Sequence, residues 1–163
     1  MLTDLETEPY IVTQLENYVH CPVVLTNQTA PAPKYPYISY TVTTPVQHTG
    51  GTYCMQDGIY YQPMLQTWSF TAHADDSRTC QRTGMLMYDF FARAGRQALY
   101  QKQIAVSGKT DLIQRDNLLT IQFEYRCGMD VTFRLMHQLE VHESVIEQAV
   151  MRYRILHQQN EKE

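Results

Sequence analysis

Charge is what this sequence has least of. Asp, Glu, Lys and Arg make up 18% of its 163 residues, against roughly 25% in an ordinary soluble domain. The net charge is −4 and the pI is near 5.8, with no block of like charge. A protein whose main task is to hold nucleic acid needs a basic stripe on one face, and none is present. No apolar run approaches the roughly 18 residues of a membrane-spanning helix. The Met1-Leu2-Thr3-Asp4 start also has no signal-peptide pattern. These absences predict a soluble protein that is not secreted and has no membrane partner. Cysteine is sparse as well. Cys21, Cys54, Cys80 and Cys127 are widely separated with no C-x-x-C pair. Cys80 and Cys127 fall on apolar faces, as buried thiols of a reducing compartment do. The Asn27-Gln28-Thr29 sequon then carries no weight, because glycosylation needs a secretory context.

Catalytic signatures are missing too. Ser107-Gly108-Lys109-Thr110 imitates the end of a phosphate loop, but the position that needs the first glycine is Gln103, and no long helix follows. His73-Ala74-Asp75-Asp76 offers metal-ligating atoms at a strand end, where helix capping already explains both aspartates. His137 and His142 lie on opposite faces of one strand and cannot share a metal. No Gly-x-Ser-x-Gly elbow occurs, and no cysteine has a plausibly placed His and Asn. Glu124 and Asp130 are set to meet across a hairpin as paired carboxylates. Arg126 and Arg134 on the same polar face favour ion pairing over acid–base work. No catalytic residue, metal site or cofactor is predicted.

What is present is period-two alternation. From Asn117 to His142, Leu119, Ile121, Phe123, Tyr125 and Cys127 alternate with polar residues, and the pattern resumes past Gly128 with Met129, Val131, Phe133, Leu135, Leu139 and Val141. Such alternation marks strands with one buried and one polar face. Its length exceeds an ordinary strand, so a tight hairpin is expected at Arg126–Asp130, turning on Gly128. Upstream, Pro9 to Val19 reads as an amphipathic helix begun by its proline, and Pro22 to Thr26 as a brief strand. Pro31 and Pro33 mark a loop, and Tyr37 to Thr43 a strand. Thr44 to Gly58 is a long surface loop or an extended hairpin tip, followed by a strand to Ala74. A helix capped at Asp75-Asp76-Ser77 runs to about Tyr100. Its Gly84 implies close approach to a strand, and Arg78, Arg82, Arg93, Arg96 and Lys102 form a solvated outer face. Gln103 to Ser107 is a short strand and Gly108 to Asn117 a polar loop. Ser144 and Glu147 form a capping box for a closing helix through Leu156, before a polar tail at 158–163. The whole is one domain of 1–163 with its core at about 8–157. Its predicted class is α+β: a mostly antiparallel, mixed sheet packed by an N-terminal, a long central and a C-terminal helix. Twelve tyrosines, with Gln and Thr in place of charge, match the composition enriched at protein interfaces.

Several stretches together resemble a known family. They are Pro33-Lys34-Tyr35-Pro36-Tyr37-Ile38-Ser39-Tyr40, Gln66-Thr67-Trp68-Ser69-Phe70, the helix at Met85 to Ala94, and Glu124 to Phe133. The chain is similar in these to tailed-bacteriophage neck or tail terminator proteins, from about Glu8 to Leu139. The resemblance implies a virion protein without catalytic residues, assembled in the host cytoplasm. It would form a homohexameric ring that caps the tail tube protein and docks to the head–tail connector, with DNA only as cargo passing through. On that footing Glu124, Arg126, Asp130, Arg134, Tyr53 and Tyr60 are expected at subunit contacts or the lumen. Another connector or tail completion protein, a small soluble enzyme and a nucleic-acid accessory protein are the alternatives.

Overall fold

The computed structural model describes residues 4–26, 30–51, 53–56, 58–115, 117–118 and 123–140. The expected closing helix, its capping box and the polar tail lie outside them, as do Leu119, Ile121, Val141 and His142. Helix α1 (Asp4–Val19) leads to strands β1 (Val23–Leu25), β2 (Tyr37–His48), β3 (Cys54–Gln56) and β4 (Ile59–Ala74). Helix α2 (Ser77–Asp89) passes through a π-turn (Phe90–Ala94) into α3 (Arg96–Gln101). Strands β5 (Ala105–Lys109), β6 (Ile113–Gln114), β7 (Asn117–Leu118) and β8 (Phe123–Glu140) complete the order. The sheet runs β1-β2-β4-β8-β5, parallel only at β1–β2 and antiparallel elsewhere. This is the α+β class, with a mixed sheet.

The expected hairpin at Gly128 does not exist. Strand β8 continues straight through it, paired residue by residue with β4 from Tyr125 opposite Ala74 to Glu140 opposite Ile59. Gly128 meets a steric demand instead of a turn. A Cβ there would sit 2.8 Å from the Phe70 carbonyl oxygen, 2.9 Å from Thr71 Oγ1 and 3.1 Å from an Arg115 nitrogen. The positive-φ glycines among the described residues are Gly50 and Gly58, both in the β2–β4 connection. Gly58 stands between the paired residues Gln56 and Ile59 and turns the chain from β3 into β4. Thr44 to Gly58 is therefore the extended hairpin tip and not a free loop. Two irregularities in β2, around Thr43 and around Pro45-Val46, admit the proline without a missing ladder bond at the sheet centre.

One sheet face carries the helices. Alternate residues Trp68, Phe70 and Ala72 of β4, and Cys127, Met129, Val131 and Phe133 of β8, are buried with Ile11, Leu15, Met87 and Phe91 of the helices. The Phe91 ring meets Phe70 at 4.8 Å and Phe133 at 5.7 Å, and Trp68 meets Phe133 edge-on at 5.4 Å. Each such fully buried side chain contributes about 1.5–3 kcal/mol, and ring pairs add roughly 0.5–1.5.

The helices depart from expectation in two ways. Helix α1 starts at Asp4, so Pro9 lies inside it and removes one bond to the first turn. The predicted helix to Tyr100 is broken by the π-turn, where the Gly95 N–H donates to the Phe90 carbonyl at 2.8 Å. Phe90 and Phe91 in that turn are both buried. Gly95 lies against the Phe90 ring with no room for a Cβ. Gly84 does lie against a strand, its missing Cβ replaced by Cys127 Sγ. Arg78, Arg82, Arg93 and Lys102 are exposed, while exposed Arg96 also donates to the Val106 carbonyl at 2.9 Å. No helix among the described residues is long and apolar enough to cross a membrane.

Candidate functional site

The other face of the sheet is the chemical surface. Period-two alternation and the strand register place Tyr37, His73 and Arg126 in one row across β2, β4 and β8. Ser39, Thr71 and Gly128 form the next row, and Thr41, Ser69 and Asp130 the one after. Much of this face floors an open groove of about 790 Å³, walled by Val24, Leu25 and the Ala30–Pro33 segment.

At one end of that floor the polar groups close into a circuit. The Ser39 hydroxyl lies 2.8 Å from His73 Nε2, and His73 Nδ1 lies 3.0 Å from Glu124 Oε1. Tyr35 donates its hydroxyl to the same Glu124 oxygen at 3.0 Å. The Arg126 guanidinium takes the second oxygen, with Nε at 2.7 Å and a terminal nitrogen in closer ion-pair contact. Tyr37 stacks flat on His73, with centroids 4.5 Å apart. Burial lowers the His73 pKa, and the Glu124 hydrogen bond only partly opposes it. Burial of Glu124 acts to raise its pKa, but hydrogen bonds from His73, Arg126 and Tyr35 outweigh it and hold the carboxyl below its ordinary range. Burial and the Glu124 hydrogen bond push the Tyr35 phenol up to about 12. The consistent protonation state is an ionised Glu124 neutralised by Arg126, beside a neutral imidazole that donates from Nδ1 and accepts the Ser39 proton at Nε2.

Hydroxyl, imidazole and carboxylate in that order match the connectivity of a hydrolytic relay. Acyl transfer also needs donors aimed at a developing oxyanion. Here Ile38, Ser39 and Tyr40 lie between two strands, so their backbone groups serve the ladders to β1 and β4, and Arg126 is committed to Glu124. The circuit is built to tie the Tyr35–Tyr37 segment to β4 and β8. His73 does not join Asp75 and Asp76 around a cleft. Asp76 caps α2 by accepting the Thr79 N–H at 2.9 Å, while Asp75 is exposed, so capping accounts for one aspartate and not both. Among the described residues no three metal-ligating side chains converge.

The six residues singled out in the sequence fall at separate places. Glu124 and Arg126 meet in the circuit, Glu124 almost fully buried at 4% exposure. Asp130 pairs instead with Arg115, at 3.5 Å, and Arg115 also donates to Ser69 at 3.1 Å. The two acids thus lie six residues apart on one continuous strand, each with its own arginine, and not as a pair across a turn. Arg134 is exposed and lines a second groove of about 900 Å³ with Tyr61, Tyr100 and Met136. It lies eight residues from Arg126, roughly 26 Å along the strand. Tyr53 and Tyr60 meet edge-on at 6.2 Å on the β3–β4 hairpin. Sequence reasoning missed Ser39, His73, Tyr35 and Arg115 as members of these clusters. Period-two parity put Ser39 and His73 on polar faces, but only the cross-strand register brings them together.

The hairpin holding Tyr53 and Tyr60 is the second feature of note. Between Lys34 and Asp75 the sequence has no Lys, Arg or Glu, and Asp57 is its one carboxylate. Val46, Tyr53 and Met55 on this arm are exposed, Met55 at 63%. Large apolar groups with little interspersed charge are the composition of an interface core.

Residues 10–156 match the family model described as phage neck terminator protein. Among curated proteins none matches the chain. With so much of its length covered, and a charge-poor sheet and arm suited to assembly, the chain belongs to the phage neck terminator protein family, a structural component of the bacteriophage neck.

Proposed function

We propose that the protein is the ring subunit that caps the completed tail tube and joins it to the head connector, assembling as a homohexamer around the path of the DNA. The observation that carries this reading is the charge-poor arm from β2 to β4. A cyclic ring needs a heterologous contact, in which one surface of each copy meets a different surface of the next. An arm bearing Val46, Tyr53 and Met55 supplies one such surface, and the neighbour's open, Thr- and Ser-rich sheet face supplies a complementary one with little charge to desolvate. Tyr60 supports the arm, and Arg134 stands at its base where it can reach the next subunit. Glu124, Arg126 and Asp130 are satisfied within their own chain, so their part is to hold the docking face in shape. A net charge of −4 with no basic stripe suits a conduit that must not retain phosphates.

The test has two arms. Solution mass and negative-stain microscopy of the purified protein over a concentration series should give rings with a central hole, formed alone or on isolated tails. In infected cells, loss of the protein should give tails of uncontrolled length. Normal tails on headed particles would overturn the reading. Tails of correct length that still cannot join would assign the chain to another head–tail completion step.

A further inference from the structure

We propose that Cys80 and Cys127 are the two halves of a latent disulfide, formed by a peroxide-class oxidant, that staples α2 to β8. Their Sγ atoms lie 3.5 Å apart, and both side chains are buried, at 3% and 5% exposure. They belong to different layers. Cys80 sits in the first turn of α2 and Cys127 on the helix-bearing face of β8. Gly84, one turn further along α2, has no Cβ to hold Cys127 away. The thiols are also oriented by weak hydrogen bonds, from Cys80 Sγ to the Ala72 carbonyl at 3.7 Å and from Cys127 Sγ to the Cys80 carbonyl at 3.2 Å. A disulfide needs the sulfurs at about 2 Å, so each must move by less than an ångström.

Access selects the oxidant. A recess of about 200 Å³ opens on the pair between Ser77, Gln81, Leu112 and Tyr125. Hydrogen peroxide, little larger than water, fits such a space, whereas a tripeptide disulfide does not. Peroxide would convert one thiol to a sulfenic acid, releasing water. The second sulfur then attacks the sulfenic sulfur, an S–S bond forms, and the hydroxyl leaves with the second thiol's proton as another water. Two thiols and one peroxide thus give one disulfide and two waters, each sulfur losing one electron. The remaining cysteines are replaced in the test below, because exposed Cys54 on the arm would react with peroxide on its own. Burial beside Glu16 pushes the Cys21 thiol up to about 11. The timing of the reaction, on release from a reducing cytoplasm into an oxidising medium, rests on the neck reading. The chemistry does not.

The experiment uses the full chain carrying Cys21→Ser and Cys54→Ser, which leaves the pair intact. Dilute hydrogen peroxide should lower the intact mass by two hydrogens and link the peptides containing Cys80 and Cys127. The Tm should rise by about 5–15 °C, and a thiol reductant should reverse both changes. The same treatment of a chain with Cys80→Ala and Cys127→Ala should leave Tm unchanged. Oxygen addition without loss of hydrogens, a link between two chains, or no reaction would each overturn the proposal. None of these results depends on whether the protein closes tails, so the two readings fail separately.

Discussion

At the scale of single residues the open face is held by a few close fits, and these set the sharpest expectations. Gly128→Ala adds a methyl group where a backbone carbonyl, Thr71 and Arg115 already occupy the space. Extended backbone tolerates alanine, so the cost is wholly steric, about 1–3 kcal/mol as in other overpacked sites. Chemical denaturation should show that loss, and an unchanged or raised midpoint would mean that the Phe70 carbonyl, Thr71 and Arg115 do not crowd this position. The His73 circuit sets a pH dependence. The folded pKa of His73 is lowered from its ordinary 6.5, so below that value the unfolded chain takes up a proton that the folded chain refuses. Stability contributed by the neutral imidazole is therefore present above about pH 6.5 and lost on acidification. Glu124, also depressed, acts in the same direction but only below its ordinary 4.5. His73→Gln should reduce stability near neutrality, because Ser39 and Glu124 lose their common partner. It should also flatten the decline between about pH 7 and pH 5, where His73 alone supplies at most about 1.4 kcal/mol per pH unit. Parallel declines for the two proteins would show that His73 titrates normally.

At the scale of elements the arm is separable from the body in its energetics. Val46 and Met55 are more than half exposed, so Val46→Lys and Met55→Lys together should change stability by no more than about 0.5 kcal/mol, as ordinary surface substitutions do. They place charge in what is proposed as an interface core, and ring formation should fail while the subunit's circular dichroism and Tm stay near wild type. Rings at the wild-type concentration would remove the arm from the contact. Arg126 is a poorer probe of assembly than its polar position implied, since its reversal would strand the buried Glu124; exposed Arg134 is the cleaner one. What the sequence made legible follows the same division. Period-two alternation found β2, β4 and β8 and assigned their faces, because a sheet with one buried face writes its parity directly into side-chain polarity. It could not tell a turn at Gly128 from a glycine required by a crossing side chain, since both need the same missing Cβ. The π-turn at Phe90 was likewise hidden, because the four-and-three spacing of Met87, Phe91 and Ala94 fits a regular helix equally well. The polar circuit was out of reach, because Ser39, His73 and Glu124 meet only through the registers of three strands.

At the scale of the whole molecule the two long strands explain why a small subunit can serve as a ring element. Strands β4 and β8 extend beyond the common range. Their inner halves are pinned under α1 and α2, while their outer halves continue as the arm, so a displacement felt at the arm is carried by unbroken β-ladder into the core. The balance of forces between copies then follows from composition. If the ring closes through the charge-poor arm and a Thr- and Ser-rich face, association is driven by apolar burial with neutral hydrogen bonds, and counter-ions have little to screen. Raising ionic strength from about 0.05 to 0.5 M shrinks the Debye length from about 14 to about 4 Å. An interface closed by Arg134 and its like would weaken steeply over that range. One closed by the arm should hold its apparent dissociation constant within about threefold, and apolar burial should give association a negative heat-capacity change. Sedimentation velocity across the salt series, with titration calorimetry at two or more temperatures, separates these outcomes. A large salt-driven loss of rings would shift the contact to the charged residues at the arm's base and leave the arm free to engage the tail tube.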